Sequence, residues 1–220
     1  MTETVGIIGG TGPLGKGLAA RFALAGVRVT IGSRRVERAD QAAAEVRSWL
    51  DDGGDAVSSA PNLDACDADV VILSVPFEAL DAALDPLQDA LVGRVVVSAL
   101  NPLGFDDGGP FPITVPEGSA AVACADRLPD SRLVAAFHSV SSVQLARLDE
   151  PIEEDVPVFG DDQEAVAEVA ALTERIHALR AVPAGPLRLA GPVEGLTAVI
   201  IAINRHHRSH VGLRFSRLRR

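Results

Sequence analysis

The stretch Ile8-Gly9-Gly10-Thr11-Gly12-Pro13-Leu14-Gly15-Lys16-Gly17 decides the fold. Gly10, Gly12 and Gly15 carry the spacing G-x-G-x-x-G. The apolar run Thr4 to Ile8 before them has strand length, and Leu14 to Ala25 after them repeats apolar residues at helical spacing. Strand, glycine turn and helix therefore follow in order. Pro13 stands where a first helical turn tolerates proline, since the missing N–H is one of the unpaired donors there. In such a turn the first glycine makes the bend, the second lets backbone approach a pyrophosphate, and the third lets helix pack on strand. The helix N-terminus then faces the phosphate charge, so the stretch is expected to hold a dinucleotide.

Outward from the turn, Val27 to Ile31 reads as a second strand, Val36 to Leu50 as a helix and Ala56 to Ser59 as a short third strand. Asp69 to Leu73 and Arg94 to Ser98 are continuous apolar runs suited to the middle of a parallel sheet, with a helix expected near Glu78 to Leu91 between them. Residues 101–118, rich in Pro, Gly and Asp, read as a long functional loop. A helix over Ser119 to Arg127 and a sixth strand over Arg132 to Ala136 follow. The alternation predicts an α/β fold, a Rossmann-type doubly wound and mostly parallel sheet. Beyond about Val140 the pattern changes to a strand at Val156 to Phe159, an acidic cap at 160–162, a helix to Leu179, a strand near Ala181 and Val182, and a last helix. Residues 1–139 are thus expected to form the dinucleotide-binding domain and 140–220 a small C-terminal α+β domain.

The 220 residues, 47% hydrophobic, suffice for one large domain with a small appendage. A net charge of -10 argues against nucleic acid, which asks for a basic face. No basic-then-apolar leader is seen, and the late apolar run Leu196 to Ile203 is too short to span a bilayer, so a cytoplasmic protein without a membrane partner is expected. Cys66 and Cys124 lie far apart, with no CxxC and no neighbouring histidine. Neither a metal site nor a disulfide is expected, and both read as buried small hydrophobes.

An NAD site usually shows a carboxylate at the end of the second strand. Here that place reads Gly32-Ser33-Arg34-Arg35, and a hydroxyl with arginines suits the 2′-phosphate of NADP. The chain contains no tyrosine, and Lys16 is its one lysine. A Ser-Tyr-Lys proton relay is therefore impossible, as is a dehydrogenase that needs a lysine beyond the cofactor domain. What remains is a substrate that accepts hydride with little acid help, or His138, just after the sixth strand, acting alone as acid.

The series GGTGPLGKGLA, GSRR, ILSVP, VVSALNPL, AAFHSV, VPVFGDD, AGPLRLAGPVEGLT and HVGLRF, in this order over nearly the whole chain, resembles the NADPH-dependent coenzyme F420 oxidoreductases. The resemblance implies hydride transfer between NADP(H) and the deazaflavin coenzyme F420, with the two rings stacked beside the sheet, in a homodimer. By matching position, Thr11, Ser33, Arg34 and Arg38 would hold the 2′-phosphate, with Gly12, Pro13 and Leu14 beneath the pyrophosphate. Val75, Pro76, Ala99 and Leu100 would flank the nicotinamide. His138, Ser139 and Val140 would border the deazaflavin, the C-terminal domain completing its site with Arg188, Glu194 and Thr197. The arginine that the family carries at the eighth position of its AGPL segment is Gly191 here, its asparagine is Leu189, and Arg188 is the expected substitute. The segment from Ile201 to Arg220, with six arginines, three histidines and no acid, is expected to attract the anionic tail of the deazaflavin. Two other readings stay open: an imine or pyrroline-type reductase, which would need a longer helical C-terminus, and a protein that senses NADP(H) without turnover.

Overall fold

The computed structural model describes residues 2–218. In chain order the elements are β1 (Thr4–Ile8), α1 (Pro13–Leu24), β2 (Arg28–Ser33), α2 (Val36–Ser48), β3 (Val57–Pro61), α3 (Asn62–Ala65), β4 (Val70–Leu73), α4 (Leu80–Leu84), β5 (Val95–Ser98), β6 (Leu103–Asp106), β7 (Gly109–Pro112), α5 (Ala120–Arg127), β8 (Arg132–Ala135), α6 (Ser142–Ala146), β9 (Asp155–Gly160), α7 (Gln163–Thr173), β10 (Arg180–Gly185) and α8 (Ala190–His207). One eight-stranded sheet runs β10-β9-β8-β5-β4-β1-β2-β3. All its pairings are parallel except that of β8 with β9. The order reverses between β1 and β4, the switch point at which such sheets open a crevice beyond the strand ends.

The sheet is buried on both faces, which is why β4 and β5 read as unbroken apolar runs. Val70 and Ile72 join one core with α1 and α2, while Val71 and Leu73 join a second with α4 and α5. The C-terminal strands extend this sheet rather than building one of their own. All six residues of β9 are buried, and β8 and β10 flank it.

Three expected elements differ. The helix foreseen over Glu78 to Leu91 is a short turn, then α4, then another turn at Asp89–Leu91, because Pro86 has no N–H and its ring crowds the carbonyl four residues back. The loop 101–118 contains a hairpin, β6 with β7, turned by Asp106, whose Oδ1 accepts from Gly108 N at 2.8 Å and Gly109 N at 3.1 Å. α7 stops at Thr173, whose hydroxyl bonds back to the Val169 carbonyl at 2.8 Å, and Ala178 turns the chain at φ 68° into β10.

Two devices hold the periphery. Asp162 caps α7, accepting from Glu164 N and Ala165 N, and pairs with Arg132, which together hold its carboxyl well below the usual range. Arg21, buried on α1, donates to the carbonyls of Gln144, Leu145, Arg147, Leu148 and Glu150, clamping the turn after α6. α8 with its preceding turn, Leu187–His207, is by length and composition apolar enough to cross a membrane, a longer stretch than Leu196 to Ile203. It nonetheless packs along β7 and buries Glu194 against α5.

Candidate active site

The glycine turn closes as its spacing requires. Gly10 N donates to the carbonyls of Ile7 and Gly32, both at 3.1 Å, and a Cβ on Gly15 would sit 2.6 Å from Gly10 Cα, so only glycine lets α1 pack this closely. Nothing lies within 4 Å of a Cβ built on Gly12, the N-cap of α1, and no side chain caps that helix. Its first N–H groups therefore face open space, the arrangement that receives a phosphate.

Above them opens a cleft of about 800 Å³ across the switch point. Thr11, Gly12, Pro13 and Leu14 form its floor, Ser33, Arg34 and Arg38 one end, and Val75, Pro76, Ala99 and Leu100 the other, at the exits of β4 and β5. Gly10 and Gly15 line no wall and act through backbone packing. Among the described residues, Arg34, Arg35 and Arg38 form no ion pair, and no acid lines the cleft. Three unpaired guanidinium groups at the end of β2 and the start of α2 suit a dianionic phosphate.

A second cavity of about 410 Å³ adjoins the first and shares Leu14 and Asn101 with it. His138, Ser139, Val140 and Thr197 line it, with Ile200 and Ile201 of α8 and His210, and Arg205 adds positive charge. Among the described residues no acid lines this cavity either, although the chain carries a net charge of -10.

His138 departs from the role of an exposed acid. Its imidazole is 1% exposed, neither nitrogen has a hydrogen-bond partner, and burial pushes its pKa down to about 4. It meets the site through its backbone carbonyl. Phe137, just before it, holds a left-handed φ of 66°, sparsely populated for a bulky residue, and its buried ring packs edge-on against Phe22.

Glu194 is 2% exposed, and its carboxylate accepts from Ala120 N at 2.8 Å and Ala121 N at 3.0 Å at the start of α5. Burial raises its pKa against those two bonds, and it serves α5 rather than a ligand. Arg188 is exposed in the turn Leu187–Leu189 and lines neither cavity, so the structure does not bring it to the site as the expected substitute. A Cβ on Gly191 would stand 2.5 Å from the Gly118 carbonyl oxygen. With α8 seated this way an arginine has no room there.

Residues 4–102 match the family described as NADP oxidoreductase, coenzyme F420-dependent. An F420-dependent NADP reductase of Methanothermobacter thermautotrophicus is 37% identical, with 99% of this chain and 97% of that protein covered. The chain belongs to this family. A solved structure of a candidate F420-dependent NADP reductase from Arthrobacter sp. FB24 shares the fold at TM-score 0.81 and 23% identity, covering 99% of this chain and 100% of that one. The imine reductase of Bacillus cereus superposes at TM-score 0.60 and 23% identity over 93% of this chain, but over only 62% of its own length. Among the F420-dependent NADP oxidoreductases, then, this chain matches its relative from end to end. Among the lining residues given no role by the sequence are Asn62 and Asn101, whereas Arg35 belongs to the arginine pair after β2 and Arg205 and His210 to the basic C-terminal segment. Asn62 directly follows β3 and Asn101 stands three residues beyond the end of β5, and the strand-exit rule alone would have found them.

Proposed function

We infer that the protein is an oxidoreductase that transfers hydride between NADP(H) and coenzyme F420. The observation that carries this reading is the pair of adjoining, acid-free cavities meeting at Leu14 and Asn101, one built on the dinucleotide turn and the other floored by apolar residues. The uncapped start of α1, the open space over Gly12 and the three free arginines fit NADP with its 2′-phosphate. The deazaflavin ring supplies a carbon that accepts hydride and spreads the charge, which suits a site without tyrosine or an exposed acid.

In this reading Thr11, Ser33, Arg34 and Arg38 bind the 2′-phosphate, and Val75, Pro76, Ala99 and Leu100 hold the nicotinamide. Ser139, Val140 and Thr197 border the deazaflavin, with Arg205 and His210 in place of Arg188 for its anionic tail. Residues 1–139 serve the dinucleotide and 140–220 complete the second site. We further propose a soluble, cytoplasmic homodimer. Val199 and Ile203 on α8 and Phe105 and Phe111 on the hairpin are exposed apolar side chains on elements packed together, and a second copy would cover them.

The test mixes the protein with NADPH and oxidised F420 and follows the visible absorbance of the deazaflavin. Catalytic bleaching is expected. NADPH binding without bleaching would favour a sensor, and turnover of a cyclic imine would favour the imine reductase reading.

A further inference from the structure

Asn101 leaves β5 where the two cavities meet and lines both. Its Nδ2 donates to the His138 carbonyl oxygen at 3.0 Å. The Thr197 hydroxyl lies 2.9 Å from the same oxygen and 3.2 Å from Asn101 Oδ1. One carboxamide side chain thus joins the exits of β5 and β8 to α8. A carbonyl oxygen offers two lone pairs and a hydroxyl one proton. With Thr197 donating along its shorter contact, Asn101 and Thr197 fill both lone pairs of the His138 carbonyl. Asn101 keeps an acceptor on Oδ1 and a second N–H on Nδ2, in a plane fixed by its neighbours.

That donor–acceptor edge is turned to the His138 carbonyl and Thr197, so the second N–H points away from Oδ1, and it is the lone pair left on Oδ1 that suits the N–H of another carboxamide. We propose that Asn101 takes the carboxamide of the nicotinamide and thereby sets which face of that ring is turned to the second cavity, with Thr197 and the His138 carbonyl as positioning groups behind it. The proposal rests on the hydride-transfer reading for its consequence, but its contact is testable by binding alone.

The first measurement titrates NADP and its 3-acetylpyridine analogue, which lacks the amide N–H donors. Wild type should prefer NADP by about tenfold, the worth of one neutral hydrogen bond, and Asn101→Ala should bind the two alike. The second follows transfer from NADPH deuterated on either face to F420. Asn101→Ala should lower kcat by up to about 100-fold, the cost of about 1 Å of misplacement, and let label pass from the second face. Thr197→Val should act in the same direction more weakly, and the double variant should be no worse than Asn101→Ala, since both act through one carbonyl. Equal preference for the two nucleotides in wild type and Asn101→Ala would overturn the contact. So would a kcat loss that tracks a lower melting temperature with facial selectivity intact. If wild type shows the NADP preference but never bleaches F420, the contact stands and the hydride-transfer reading falls.

Discussion

At the residue scale, the site works by charge placement and burial. Arg34 has no carboxylate to neutralise it and stands beside Ser33, whose Oγ accepts from Arg35 N at 3.2 Å. A charge-assisted hydrogen bond contributes about 1.5 to 3 kcal/mol, so Arg34→Ala should weaken NADPH by about 10- to 100-fold. NADH, without the 2′-phosphate, should change little, and parallel titrations of the two check this. A parallel fall would mean that Arg34 supports the fold of the loop instead. His138 has the opposite character. With its pKa near 4 the imidazole is neutral across the assay range, so His138→Ala should leave the pH profile of kcat unchanged, while the void it leaves behind the carbonyl held by Asn101 and Thr197 should raise the Michaelis constant for F420. Disappearance of a limb near pH 6 to 7 in that variant, with binding intact, would make the ring a proton donor after all.

At the element scale, the dinucleotide half was legible because its strands are buried on both faces and its turn needs particular residues. Gly10 and Gly15 are required by contact, and the arginines after β2 lie in the cleft where their position in the chain puts them. The hairpin 103–112 was not legible. Pro102, Pro110 and Pro112 argue against strands in general, yet a two-stranded ribbon tolerates proline wherever the N–H would point away from its partner. Nor could the burial of His138 or the clash at Gly191 be read, since both depend on where α8 settles, a long-range packing result without local signature. Arg21 is another such case, a charged residue in an apolar helix whose five carbonyl partners lie more than a hundred positions away. Burial lowers its pKa, with Asp149 and Glu150 acting against that. Arg21→Ala leaves several carbonyls unpaired and should cost about 3 kcal/mol or more. In a chain of this length that lowers the melting temperature by about 6 to 12 °C. Arg21→Lys should recover only part, since an ammonium cannot reach the same fork of acceptors. Calorimetry of the three proteins decides it.

At the scale of the whole molecule, two buried groups pull the pH dependence of stability in opposite directions. Glu154 is 6% exposed, and burial raises its carboxyl to about 7, partly offset by the Ser141 backbone N–H. The C-terminal segment closes over this region, with Leu213 O accepting from Asp155 N at 2.7 Å and Phe215 N donating to Asp155 Oδ2 at 2.6 Å. Between the unfolded carboxyl value and 7 the folded state holds the extra proton, so this contribution is full in acid and is lost as pH rises through that window. His138 does the reverse. The unfolded chain holds the extra proton between about 4 and 6.5, so stability is lost as pH falls through it. Glu154→Gln, neutral at every pH, should therefore gain on wild type as pH climbs from 4.5 to 7.5, by at most about 3 kcal/mol. A melting-temperature difference that stays constant over that range would remove Glu154 as the cause.

The Arg21 clamp has an evolutionary side as well. It grips main-chain oxygens only, so the exposed residues of 144–150 can exchange side chains without loosening it, the core side chains Leu145 and Leu148 excepted, while an insertion or deletion would unseat the carbonyls. Just before that turn, Ser141, Ser142 and Val143 line the second cavity, and nothing in the dinucleotide cleft depends on their identity. Drift in this stretch is thus free to reshape the acceptor's surroundings while the donor half stays unchanged. Among homologues, lengths here should be constant and letters variable, and a library of substitutions at these positions is the place to seek enzymes that reduce other ring systems.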